Sequence, residues 1–286
     1  RNSDRAGAEL KSVFGDAVAT PYIHWEYATP RVLITDFVEG VRISDRAGLE
    51  QRGIDVAQVA TLCYSALAYQ MFISGFVHAD PHAGNILVHK PVKDGRKWRA
   101  GRTQVVLLDH GLYTYLDDVK RHRLACLWTS SVTHRSRELE RVAQEMGVAD
   151  YRLLGSMFLQ HPYEYFSSFK QSMTPEELYM MHNDAKDKME EVNNIVDSMP
   201  CEYALVLRSL SALRAINKDL GNPVRRPLVL LRYSLRESHG DSVFGYYSAL
   251  LKAWWEEWIH DWTTYALTLY SPQLMKEVED ALAMAQ

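Results

Sequence analysis

Two strand-like runs lie early in the chain. Tyr22-Ile23-His24-Trp25-Glu26-Tyr27 and Arg31-Val32-Leu33-Ile34-Thr35-Asp36-Phe37 are rich in β-branched and aromatic residues, and Ala28-Thr29-Pro30 separates them, which predicts a β-hairpin. Glu39-Gly40 and a polar connection with Gly48 and Gly53 follow. The period then changes: Val59, Leu62, Cys63, Ala66 and Leu67 form a helical stripe behind Asp55, with Gln58 three residues on as a capping-box partner and Gly75 as the expected stop. Next come Phe76-Val77, a polar loop from His78 to Asn85, a short strand Ile86-Leu87-Val88, a charged turn containing Asp94-Gly95, and a strong strand over Gln104-Val105-Val106-Leu107-Leu108. Asp109-His110-Gly111 closes this unit.

From about residue 117 the patterns are helical. Thr174-Pro175-Glu176-Glu177 is a full helix-start signature, Ser271-Pro272 resembles another, and Pro200 and Gly221 bracket a helix carrying Leu205, Leu210, Leu213 and Ile216. On a last long helix, Trp254, Trp258 and Trp262 recur every four residues beside Tyr247, Leu251 and Tyr265. That aromatic face is expected to pack on the helical body; peripheral membrane contact is the alternative, weakened by Glu256, Glu257 and Asp261 opposite it. Arg225-Arg226 reads as a solvated pair and Lys90 to Arg102 as an exposed hairpin loop. The class predicted is α+β, a small β-containing N-terminal portion followed by a mostly α body.

Composition narrows the function. With 286 residues, 47% hydrophobic and 24% charged, the chain is neither a disordered tail nor a collagen-like rod nor a coiled coil. Its formal net charge of -4 and lack of a long basic block argue against nucleic acid as a partner. Cys63, Cys126 and Cys201 suggest neither a disulfide framework nor a cysteine-based zinc site. The apolar stretches read as broken by charge short of the roughly 18 residues of a membrane-spanning helix. The N-terminus lacks the features of a signal peptide and reads as a cut edge.

The candidate chemistry lies in His78-Ala79-Asp80-Pro81-His82-Ala83-Gly84-Asn85 and Asp109-His110-Gly111. If the flanking strands pair antiparallel, Asn85 and Asp109 sit at one rim. An amide oxygen and a carboxylate there make a hard-oxygen site that suits Mg²⁺ shared with substrate phosphates. Asp80, five positions before Asn85, lies on the loop feeding the same rim. Either aspartate alone is an ordinary turn residue. An Asp five residues before a metal-binding Asn, with a strand-terminal Asp-x-Gly downstream, is the arrangement of the protein-kinase catalytic loop.

These segments, with Ile86-Leu87, Leu107-Leu108 and Tyr113, resemble the UbiB/aarF-domain (ABC1-type) atypical kinases, in particular the eukaryotic branch with Asp-His-Gly in place of Asp-Phe-Gly. The resemblance begins near residue 1, includes Thr35-Asp36-Phe37-Val38-Glu39-Gly40 as the hinge, and extends more loosely to about residue 235. It implies a protein-kinase-like fold: the end of an N-terminal lobe and hinge over 1–40, a mostly α C-terminal lobe with a catalytic β-hairpin over 41–240, and a C-terminal helical extension over 241–286. It further implies ATP and Mg²⁺ as cofactors, Asp80 as the catalytic-loop aspartate orienting or deprotonating the acceptor, and Asn85 and Asp109 as the metal ligands. Asp36, Phe37 and Val38 would meet the adenine edge through their backbone and Leu87 would pack beneath the ring, while His78, His82, His110 and Gly111 would support the site. The family association is with membranes of mitochondria, plastids or bacteria and with ubiquinone or lipid metabolism, the acceptor being a protein, a lipid or water. A mitochondrial location is the corresponding expectation.

Ala83 stands where the family has Pro, which loosens the loop and removes no ligand. A kinase fold also needs a phosphate loop, a strand lysine and a helix glutamate, and the family a Lys-x-Gly-Gln motif; these are expected before Arg1. The segment alone is therefore expected to bind Mg-nucleotide weakly and to lack measurable turnover. A nucleotide-binding pseudokinase module without turnover is the second reading, and a metal-dependent phosphohydrolase using His78, His82 and His110 the third.

Overall fold

The computed structural model describes residues 1–89, 103–161, 163 and 188–239, with positions 248, 250, 251 and 255. Two compact units divide the chain, Arg1–Ser238 and His239–Gln286. The four single positions of the second unit are helical. The loop from Lys90 to Arg102, the helix starts at Thr174 and Ser271, and the aromatic face of the last helix apart from Leu251 lie outside the described residues.

Around the loops of the first unit, helix α1 (Asn2–Phe14) leads into β1 (Val18–Ala19), and β2 (Val41–Arg42) precedes α2 (Arg46–Gln51) and α3 (Val56–Tyr69). The α3 start was written locally: Asp55 Oδ1 accepts from Ala57 N at 2.9 Å and Gln58 N at 3.2 Å, satisfying two of the helix's orphan donors, about 1 kcal/mol of helix stability. The helix widens into a π turn over Gln70–Ser74, and Gly75 ends it at φ 71°. A Cβ there would lie 2.4 Å from the Leu116 carbonyl oxygen, so both conformation and space require glycine.

Val56–Ser74 corrects one expectation. These 19 residues carry no charge and are apolar enough, by length and composition, to cross a membrane. The reason lies in their surroundings: 56% of the window is buried inside the fold. Tyr64, fully buried, donates its hydroxyl to Leu213 O at 2.7 Å. A helix enclosed this way has little solvent-facing side on which to carry charge.

β3 (Phe76–His78) pairs antiparallel with β6 (Tyr113–Tyr115). A second sheet has the order β1-β5-β4-β2, in which β4 (Ile86–His89) and β5 (Gln104–Leu107) form the expected antiparallel pair with Ile86 opposite Leu107. β1 joins β5 in parallel and β2 joins β4 antiparallel. The predicted hairpin at 22–37 is looser than a two-stranded ribbon. His24 N donates to Ile34 O and Asp36 N to Tyr22 O, both at 2.9 Å, but Trp25–Tyr27 is a 3₁₀ turn. Trp25 Nε1 reaches Asp4 on α1 at 3.2 Å, and Pro30 has no N–H for a ladder.

The helical body consists of α4 (Asp118–Val132), α5 (Ser136–Glu145), α6 (Tyr151–Leu159), α7 (Met189–Ser198), α8 (Cys201–Asp219) and α9 (Arg226–His239). Pro200 and Gly221 flank α8 as predicted. Arg226 is not solvated: it donates to Gln160 Oε1 at 2.7 Å and Leu159 O at 2.6 Å, closing the C-terminus of α6, whose last carbonyls need donors. Burial pulls its guanidinium down to about 10. The architecture is thus mixed α and β, mainly helical with small sheets.

Candidate functional site

Antiparallel pairing of β4 and β5 determines the rim. Leu108 N donates to Asn85 O at 2.9 Å just beyond the last strand pair, so the residue before β4 and the segment after β5 leave the sheet together. Asn85 Nδ2 lies 3.3 Å from Asp109 Oδ2, while Asp109 Oδ1 accepts from Gly111 N at 2.8 Å. Gly111 therefore fixes one carboxylate oxygen and leaves the other facing Asn85. Asp109 is exposed and Asn85 half-buried, so the pair opens to solvent.

This donor set fits a small hard cation. Two neighbouring ligands of octahedral Mg²⁺ at about 2.1 Å stand about 3.0 Å apart, close to the 3.3 Å found between Asn85 Nδ2 and Asp109 Oδ2. Amide rotation exchanges nitrogen for oxygen at that spacing. Asn85 and Asp109 could therefore hold Mg²⁺, with its remaining positions left to water and phosphate.

Asp80 is positioned differently. Its backbone N donates to His78 Nδ1 at 3.2 Å, and its carbonyl accepts from His82 N at 2.9 Å. His82 in turn uses Nδ1 to accept from Gly84 N at 3.1 Å and its carbonyl to accept from Asn85 N at 2.9 Å. The loop is thus a chain of short turns from Asp80 to Asn85. The Asp80 carboxylate meets neither Asn85 nor Asp109 among the described contacts; it pairs with Arg208 Nη2 of α8 at 2.8 Å. Nothing local in the sequence signals that partner.

His78 stands between the two segments: its Nδ1 accepts from Asp80 N at 3.2 Å and its ring lies 5.9 Å from that of His110. Burial, then the neighbouring His110, lowers its pKa to about 4 against the pull of Asp109 and Asp80. His110 is also lowered, first by burial; its Nε2 donates to Leu107 O at 3.0 Å, so Nδ1 accepts from the Tyr113 hydroxyl at 2.8 Å. Tyr113 stacks on Phe76 with ring centroids 4.3 Å apart and lies tilted against His78 at 4.9 Å. His78 Nδ1 and both His110 nitrogens are committed to hydrogen bonds, which argues against these two histidines as metal ligands. His82 supports the loop by accepting a backbone N–H, that of Gly84.

Three supports carried no sequence signal. Gln70 Oε1 accepts from His78 N at 3.3 Å, Ser209 Oγ donates to His78 O at 2.5 Å, and Asn2 Nδ2 at the start of α1 donates to His110 O at 3.1 Å.

Asp36, Phe37 and Val38, expected as the hinge, run into β2 by way of Gly40. A Cβ on Gly40 would meet Val88 O at 3.0 Å and the Leu87 Cβ at 3.1 Å, so this segment presses on β4 beside Leu87, two residues along from Asn85. Phe37 is 90% exposed. Asp36 pairs with His24 at 2.8 Å, which raises the His24 pKa.

The family model of the ABC1 atypical kinase-like domain matches residues 1–143, a stretch that holds every one of these residues except Arg208 and Ser209. Among curated relatives, a probable serine/threonine-protein kinase, abkD, of Dictyostelium discoideum is 30% identical over 242 residues, covering 84% of this chain and 34% of the relative. Mouse AarF domain-containing protein kinase 1 is 33% identical over 227 residues, 77% of this chain and 41% of the relative. An ABC1 family protein of Schizosaccharomyces pombe is 27% identical over 234 residues, 80% and 42% respectively. The chain spans between a third and about two-fifths of the length of these relatives. The chain belongs to the ABC1, or AarF-domain, family of atypical kinase-like proteins.

Proposed function

We propose that this chain binds a magnesium–nucleoside triphosphate at the rim of the β4–β5 hairpin and serves UbiB-type phosphoryl transfer or ATP hydrolysis. The observation that carries the reading is the approach of Asn85 to Asp109, 3.3 Å apart and open to solvent, with Asp80 on the loop that leads into Asn85. When bound, Mg²⁺ would neutralise phosphate charge and orient the terminal phosphoryl group. Asn85 supplies an amide oxygen and Asp109 one carboxylate oxygen, its other being held by Gly111. His78 keeps the two segments in register, and Asp80 orients the acceptor hydroxyl or water and takes up its proton. Leu87 and the backbone of Asp36 to Val38 form the adenine side. Such a site acts mainly by positioning and charge stabilisation. By the same family resemblance we propose a link to ubiquinone or lipid metabolism at a mitochondrial membrane, with a protein, lipid or water as acceptor; organelle fractionation of the cell of origin tests the location.

The alternative, a nucleotide-binding regulatory module without turnover, is favoured by one observation: the Asp80 carboxylate is already engaged by Arg208. Loss of cellular function on Asp80→Ala would favour catalysis, and retained function with retained nucleotide binding would favour the module.

Calorimetric titration with Mg·ATP tests the binding site. Asp109→Asn and Asn85→Ala are each expected to weaken binding at least tenfold, as EDTA should for the unaltered chain. Equal affinity in all three, with and without Mg²⁺, would overturn the proposal.

A further inference from the structure

The Asp80–Asn85 loop brings its aspartate no cation of its own. His82, two positions after Asp80, is turned back onto the loop, its Nδ1 occupied by Gly84 N. Positive charge reaches Asp80 from α8, where Arg208 Nη2 lies 2.8 Å from Asp80 Oδ2. The side chain is exposed, but the helix that carries it is fixed by its neighbours. The next residue, Ser209, donates to His78 O at 2.5 Å, and one turn further on Leu213 O accepts from buried Tyr64. Helix α8 is therefore seated on both the loop and the core helix.

The pair is only partly covered: the side chains of Arg208 and Asp80 are 56% and 33% exposed. Exposed ion pairs contribute about 0–1 kcal/mol to stability, which gives little structural reason for this one. A guanidinium has five N–H donors in a planar fork suited to two oxygens of a phosphate. Among the described residues Asp80 is the one polar partner of Arg208, so most of that fork is uncommitted. A terminal phosphate arriving beside Asp80 would bring two anions together, and their repulsion needs a cation at that spot.

We infer that Arg208 receives the terminal phosphate of the bound nucleotide while it holds the Asp80 carboxylate, acting as a cation supplied in cis from α8. This rests on the nucleotide reading above and adds a residue that lies outside the 1–143 family match. Arg208 thereby distinguishes a triphosphate from a diphosphate: its contact exists only when the last phosphate is present.

The test is calorimetric titration of the whole chain with Mg·ATP and, separately, Mg·ADP, for the unaltered protein, Arg208→Ala, Arg208→Gln and Arg208→Lys. The Ala and Gln variants are expected to bind Mg·ATP about tenfold more weakly, or about 1.4 kcal/mol, and Mg·ADP within twofold of the unaltered chain. Arg208→Lys should recover most of the difference. Retained Mg·ADP binding also reports that each variant is folded, and Gln keeps the side-chain stem should Ala disturb α8. An unchanged ATP-to-ADP ratio in Arg208→Ala and Arg208→Gln overturns the assignment and leaves the nucleotide site standing. Failure of the unaltered chain to bind either nucleotide overturns both.

Discussion

Substituting His78 tests a buried neutral imidazole between the two site segments. In the folded chain it is 2% exposed, accepts from Asp80 N and lies beside His110, and burial brings its pKa from an ordinary 6.5 to about 4. The unfolded chain therefore takes up a proton that the folded chain refuses. Stability is unaffected above the unfolded value, declines as pH drops below 6.5, and stops declining from this source near pH 4. Linkage over that gap gives roughly 3 kcal/mol in total and about 2 kcal/mol between pH 7.5 and pH 5. Urea unfolding of the unaltered chain and of His78→Gln at those two pH values measures it, since carboxylate and other histidine contributions are largely common to both. The variant is less stable at pH 7.5 yet loses about 2 kcal/mol less on acidification. Equal losses in the two proteins would refute the argument that His78 is buried neutral between the segments.

Other perturbations follow from the same geometry. Gly75→Ala forces a side chain into left-handed backbone and against the Leu116 carbonyl; a loss of roughly 2 kcal/mol or more in chemical denaturation is expected, and a loss under about 0.5 kcal/mol would contradict the contact. Tyr64→Phe removes the buried hydroxyl donated to Leu213 O and should cost about 1 kcal/mol, with a neutral effect arguing against the seating of α8 on α3. Thiol labelling of the native chain should be fast at exposed Cys201 alone, because Cys63 and Cys126 are buried, which pushes their pKa values up to about 12 and about 11. Rapid labelling of Cys63 would show that α3 is not enclosed.

What could be read in the sequence was what neighbouring residues decide. The cap at Asp55, the stop at Gly75, and the Pro200 and Gly221 brackets are local chemistry, and the helices begin and end beside them. The β4–β5 hairpin was legible from two apolar runs around a turn, and its register carries Asn85 to Asp109. Contacts between distant segments left no local trace. Arg208 and Ser209 reach the Asp80 loop across more than 125 positions, and Asn2 reaches His110 across 108. Helix α1 was not anticipated, and the hairpin at 22–37 loosens where Trp25 turns toward Asp4. Arg226 looked solvated because arginine beside arginine usually is, whereas the open carbonyls of α6 claim it. The span Val56–Ser74 runs against the expected interruption by charge: Gln58, Thr61, Ser65 and Gln70 lower its hydrophobicity without adding charge.

The central claim, that Asn85 and Asp109 share a metal-nucleotide site, is tested most directly by locating Mn²⁺ through its anomalous scattering in crystals grown with a manganese–nucleotide complex. The account predicts one peak about 2.2 Å from an Asp109 carboxylate oxygen and from Asn85 Oδ1, with nucleotide phosphate completing the shell. A nucleotide-bound peak away from both side chains, or one ligated by the imidazoles of His78 and His110, would contradict it.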